Sequence, residues 1–152
     1  MSSLNQVAEI EVPASGASSL RKTVLIGRSL SGLVVLFLIP DGIIKFIKPA
    51  PVVEAFVHLG LPLSLANGLG ILLLLCTFLY VVPRTAALGA ILLTGYLGGA
   101  VATHLRAGDP LFSHVLFPTY LGVLLWLGLY LRDARLRVLI PLRSNTDDSR
   151  HD

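Results

Sequence analysis

Asp41 and Lys45 stand four residues apart inside an apolar run, acid before base, the better order for an ion pair on one helical face. Pro40 and Gly42 flank the acid and are expected to loosen the helix there. A charge in a membrane helix costs about 2.5–3.5 kcal/mol at the bilayer centre, so each is a candidate for function by default. If the apolar runs of this chain are antiparallel helices, other polar side chains gather at the same end as this pair. Asn67 comes early in the second run, Thr103, His104 and Arg106 close the third, Asp109 and His114 follow it, and Glu54 and His58 precede the second. An acid–base–histidine cluster of this kind can bind a polar lipid headgroup or a quinone carbonyl, with histidine as the proton relay near neutral pH. The expected site is therefore Asp41, Lys45, Asn67, Thr103, His104 and Arg106. Plainer readings stand beside it: Asp41 and Lys45 neutralise each other at an interface, and His58 and His114 are solvated.

Other chemistries lack their residues. Cys76 is the only cysteine, so thiol–disulfide exchange through a pair within the chain is excluded, and its leucine-rich surroundings mark it as inert. No two histidines sit at matching depth in mid-run, which argues against a bis-histidine haem. Neither an HExxH spacing nor a nucleotide-binding glycine loop occurs, so no metal site and no cofactor is evident in the chain itself.

The elements that must position these residues follow from composition. Of 152 residues, 54% are hydrophobic and only 14% charged, with a mean hydropathy of +0.78. About 25% charged is usual for a soluble domain, so too few charges remain to cover a water-facing surface. High hydrophobicity excludes disorder of the main body, and one cysteine excludes a disulfide scaffold. A membrane helix needs about 20 mostly apolar residues. Segments 24–47, 61–82, 85–105 and 114–131 approach or meet that length, divided by Pro49, Pro51, Pro83 and Pro110. Leu72–Leu75 and Leu124–Leu127 are apolar all round, unlike the striped helices of soluble bundles. The expected fold is all-α: a four-transmembrane-helix antiparallel bundle with short loops over residues 21–142, between a flexible polar tail at 1–20 and another at 143–152.

Eight basic residues (Arg21, Lys22, Arg84, Arg132, Arg135, Arg137, Arg143 and Arg150) fall on one side of that bundle, against three (Lys45, Lys48 and Arg106) on the other. Basic residues concentrate on the cytoplasmic side, which places both termini there. Arg28, a turn into the first span, can snorkel to the same headgroups. The basic pI of about 9.4 then reflects contact with anionic lipid, and no nucleic-acid-binding motif accompanies it. On the third span, Ala86, Ala90, Thr94, Gly98 and Ala102 recur every four residues, with Gly95 and Gly99 in a second row. Small residues let helices approach closely in lipid. Gly95, Gly98 and Gly99 are expected either to pack helices within the chain, the favoured reading, or to form a homo-oligomer face or a pocket for a flat apolar ligand.

The segment PRTAALGAILLTGYLGGAVATHLR at 83–106, followed by GDPLFSHVLFPTYLGVLLWLGLYLRD at 108–133, resembles the DoxX-like small membrane proteins of bacteria. The Asp41-Gly42-Ile43-Ile44-Lys45 end of the first span and the Glu54–Gly60 segment share the resemblance, which runs over about residues 22–142. It implies a four-helix membrane protein of the bacterial inner membrane, and it transfers no catalytic residues. The family name derives from a membrane subunit associated with thiosulfate:quinone oxidoreduction, and other relatives resemble partners in oxidative-stress complexes. Two functions follow as expectations. One is a small redox-associated subunit that touches quinone and relies on an oxidoreductase partner for its electron-transfer centre. The other is a non-enzymatic accessory or lipid-binding protein acting through helix packing. A transporter is a weaker third, since no internal repeat is visible.

Overall fold

In lipid every backbone N–H and C=O must be satisfied within the chain, which favours helices. The computed structural model describes residues 14–139, and these form helices and their connections with no strand among them. The order is α1 (Ala14–Ile47), α2 (Ala50–His58), α3 (Leu65–Val81), α4 (Ala86–Ala107), a π-helical turn (Leu111–Val115), α5 (Phe117–Arg132) and α6 (Ala134–Leu139). Three stretches, Ser18–Ile47, Ala86–Ala107 and Leu111–Arg132, are long and apolar enough to cross a membrane. The predicted tail at 143–152 lies outside the described residues.

Several boundaries differ from those expected. The helix holding the first predicted span begins already at Ala14, and it runs through Pro40 and Gly42 without a break. The second span is helical over only 17 residues, because Leu61–Ser64 form a turn around Pro62 before α3 starts. At 1.5 Å per residue such a helix is about 26 Å long, shorter than a hydrocarbon core of about 30 Å. Glu54 and His58 lie on a short helix of their own, which starts after Pro49 with Pro51 in its first turn, where proline costs no hydrogen bond.

The four longer helices pack in a closed order: α1 against α3 and α5, and α4 against the same two. Val34, Leu38, Leu73, Leu93 and Leu125 meet in the core, while Leu36, Ile71, Phe78 and Val123 point outward. The closest approaches use glycine. A Cβ on Gly89 would strike the backbone of Leu79 and Tyr80, one on Gly27 would lie 2.7 Å from Arg132 N, and one on Gly70 would lie 2.9 Å from Gly42 O. Polar groups bind the same helices at the end opposite the expected site. Ser31 Oγ meets the buried Tyr80 hydroxyl at 2.8 Å, and that hydroxyl donates to Leu125 O at 2.9 Å. Arg132 donates to Tyr80 O at 2.7 Å and lies over the Tyr80 ring. Three helices thus share one satisfied network, the condition for polar groups to be tolerated in a core.

Candidate functional site

Near the end of α1, Lys45 Nζ donates to Asp41 Oδ2 at 2.6 Å and to Asp41 O at 3.0 Å. The pair expected from spacing therefore forms. The Lys45 side chain is only 13% exposed, so the ion pair is shielded and its geometry fixed. This is the self-neutralising arrangement, and it also leaves both side chains on the wall of a cavity.

The end of α4 builds the second part of the site. Gly108 takes the left-handed conformation, with φ 76°. Its N–H donates to Leu105 O at 3.2 Å, and the next N–H, of Asp109, donates to His104 O at 3.1 Å. This Schellman termination folds the chain back over the last turn, and Pro110 prevents the helix from resuming. Asp109 is thereby laid beside His104. Its carboxylate bridges two imidazoles: Oδ2 lies 2.6 Å from His104 Nδ1, and Oδ1 lies 2.6 Å from His58 Nε2 on α2. Only 9% of the Asp109 side chain is exposed. The hydrogen bonds from His104 and then His58 hold its carboxyl below the ordinary carboxylate range, against the opposing effect of desolvation. An ionised carboxylate only accepts, so both ring nitrogens are donors here. Arg106 fastens α2 a second time by donating to Leu59 O at 2.9 Å.

Between these parts lies a cavity of about 730 Å³, bounded by α1, α2, α3, α4 and the start of α5. That volume is within the range of about 300–1,000 Å³ usual for small-molecule sites. Phe37, Leu69, Leu72 and Leu121 give it apolar walls, and Asp41, Lys45, Tyr96, Thr103 and His104 give it polar ones. Four of the six residues expected at the site thus come together. Asn67 is exposed on α3 and does not line the cavity, while Arg106 is spent on the α2 terminus. Thr103 is occupied in part by its own helix, donating to Gly99 O at 2.8 Å.

The favoured reading of Gly95, Gly98 and Gly99 as contacts within the chain needs correction. A Cβ at any of the three would meet nothing within 4 Å. Gly95 and Gly99 instead widen the cavity, and Gly98 lines a shallower apolar groove of about 440 Å³ between α4 and α5. The third span does pack on its neighbours, but through Gly89, Ala90 and Leu93. Sequence reasoning missed Tyr96 and left Asp109 outside the expected site. Tyr96 carries no spacing signal that sets it apart from an ordinary packing aromatic. Asp109 did carry one, in the run from His104 to Gly108-Asp109-Pro110 that ends the helix. Among the described residues, no group of three histidines, cysteines or carboxylates is arranged to hold a metal ion.

Residues 29–128 match the DoxX-like family. That is more than half of the sequence, and it contains every polar residue of the cavity together with His58 and Asp109. The chain belongs to the DoxX-like family. No curated protein and no solved structure matches it. Membership and three long apolar helices make it a membrane protein, so the exposed apolar residues of its helices have lipid as their natural surroundings.

Proposed function

We propose that this DoxX-like protein is a small redox-associated subunit of the bacterial cytoplasmic membrane, and that its cavity receives a quinone or a similar lipid-soluble ring compound. In this reading α1, α3, α4 and α5 all cross the bilayer, with the turn at Leu61–Ser64 carrying α3 to the headgroups, and both termini are cytoplasmic. The observation that carries it is the cavity itself. Its volume, its apolar walls and its cluster of hydrogen-bonding side chains suit a flat ring with polar substituents and an apolar tail. A bound quinone would supply two-electron redox chemistry. The chain's own residues would hold the molecule: Phe37 and Leu121 against the ring or tail, and Lys45 and Tyr96 toward its oxygens, with His104 on the same wall. An oxidoreductase partner would exchange electrons with it.

Purification in mild detergent followed by mass spectrometry of bound small molecules and proteins tests this reading. A quinone should be retained by the wild type and lost from the double variant Gly95→Leu, Gly99→Leu. Both added side chains start from open space, so they should fill the cavity without displacing a helix. Equal retention by the filled variant, or no quinone in the wild type, would remove the proposal. The second reading, an accessory protein acting by helix packing, is favoured by the groove at Gly98, whose open Cβ position leaves room for another helix. Loss of an associated protein on Gly98→Leu, with quinone retained, would support it.

A further inference from the structure

His104 has its two ring nitrogens in different situations. Nδ1 is engaged by Asp109, which as an ionised carboxylate accepts and does not donate, so the ring hydrogen of neutral His104 resides on Nδ1. Nε2 is then a bare lone pair, and it has no hydrogen-bond partner among the described residues. His104 lines the cavity, so Nε2 is its one nitrogen left for an occupant. We infer that His104 in its neutral form is a hydrogen-bond acceptor fixed in that tautomer by Asp109, and that the cavity then selects an occupant whose ring carries a hydroxyl, a phenol or quinol, over the corresponding ether.

The surrounding groups fit this assignment. Two of the three Lys45 ammonium hydrogens are directed at Asp41, which limits what Lys45 offers to a carbonyl. The Asp41 carboxylate in turn has its Oδ2 held by Lys45, so the pair is largely satisfied within itself. The Tyr96 hydroxyl can donate to the occupant's oxygen while that oxygen donates to His104. A hydroxyl is satisfied by such a set. An ether has no hydrogen to donate to His104 and forgoes the bond that a hydroxyl makes there.

This inference rests on the cavity being the ligand site, and the test separates the two. The full chain in lipid nanodiscs is equilibrated with 4-decylphenol or with its methyl ether, 4-decylanisole, and binding to empty nanodiscs is subtracted. The wild type should hold the phenol about three- to tenfold more tightly, the effect of one net hydrogen bond. His104→Phe should abolish that preference and keep the affinity for the ether, which also reports that the cavity is intact. Asp109→Asn should weaken the preference with His104 still present, because an amide can donate to Nδ1 and release the tautomer, a change that a structural role alone would not produce. A wild type that binds both probes equally, or a preference that survives His104→Phe, overturns the inference while leaving the cavity proposal standing. A wild type that binds neither probe overturns both.

Discussion

Asp109 organises the membrane-surface end of the site, since its carboxylate joins α2 to the end of α4 through two imidazoles. Its carboxyl is held below the ordinary carboxylate value, so the folded protein takes up that proton less readily than the unfolded chain. The linked stabilisation is therefore complete above the ordinary value of about 3.9 and is lost as the pH falls through the lowered folded value. Asp109→Asn has no such group to titrate. Thermal unfolding in detergent should show the variant melting below the wild type at neutral pH, with the gap closing as the pH falls under about 3.9. A gap that is constant down to acid pH would mean that the carboxylate's charge contributes nothing. How far the site was legible divides at this residue. Asp41 and Lys45 are neighbours on one helix turn, and their spacing suffices to pair them. His58 and Asp109 are 51 positions apart and meet only because α2 folds over the cavity, which no local spacing encodes.

At the scale of the helices, composition identified the apolar runs, and proline placed most of their ends. It did not say which small residues touch another helix. A four-residue repeat marks a narrow face in Gly95–Gly99 as well as in Ala86–Ala90, and the arrangement of neighbours decides which part is covered. Gly89 sits where the short connection after Val81 forces α3 and α4 together, so its missing Cβ is filled by backbone of Leu79 and Tyr80. Backbone cannot give way as a side-chain tip can. Gly89→Ala should therefore destabilise by more than about 1–3 kcal/mol, the usual cost of overpacking, or prevent folding. Gly99→Ala starts from open space and should be neutral or slightly stabilising, since alanine favours a helix by about 1 kcal/mol over glycine. Denaturant or thermal unfolding of the two variants in one detergent makes the comparison. Equal losses would mean that the glycine row at the cavity is a contact surface after all. α2 was not legible, because its nine residues, rich in β-branched valine and bounded by Pro49 and Gly60, make a helix too short for a repeating apolar face to stand out from a loop.

For the whole molecule, the distribution of charge and the placement of the site make one joint statement about sidedness. Arg84 and Arg132 lie at the end of the helices that holds the Ser31–Tyr80 network, whereas His58, His104 and Asp109 lie at the opposite end. If the arginine-rich end is cytoplasmic, the bridged histidines face the periplasm, and protons exchanged at the cavity come from that side. The single native cysteine, Cys76, is 1% exposed and gives a quiet background for labelling. Ser113→Cys, on the π-helical turn, should react with a membrane-impermeant maleimide in spheroplasts, because Ser113 is exposed at the histidine end. Arg84→Cys, exposed between α3 and α4, should react only after the membrane is opened. Arg84 carries part of the orienting charge, so Thr85→Cys, adjacent and half-buried, serves as the control with that charge retained. The reverse pattern in both Arg84→Cys and Thr85→Cys would turn the site to the cytoplasm and make the charge asymmetry a poor guide for this chain. Reaction of Ser113→Cys and Arg84→Cys from the same side would overturn the crossing of α4, because that helix alone separates the two connections and its 22 mostly apolar residues are long enough to span.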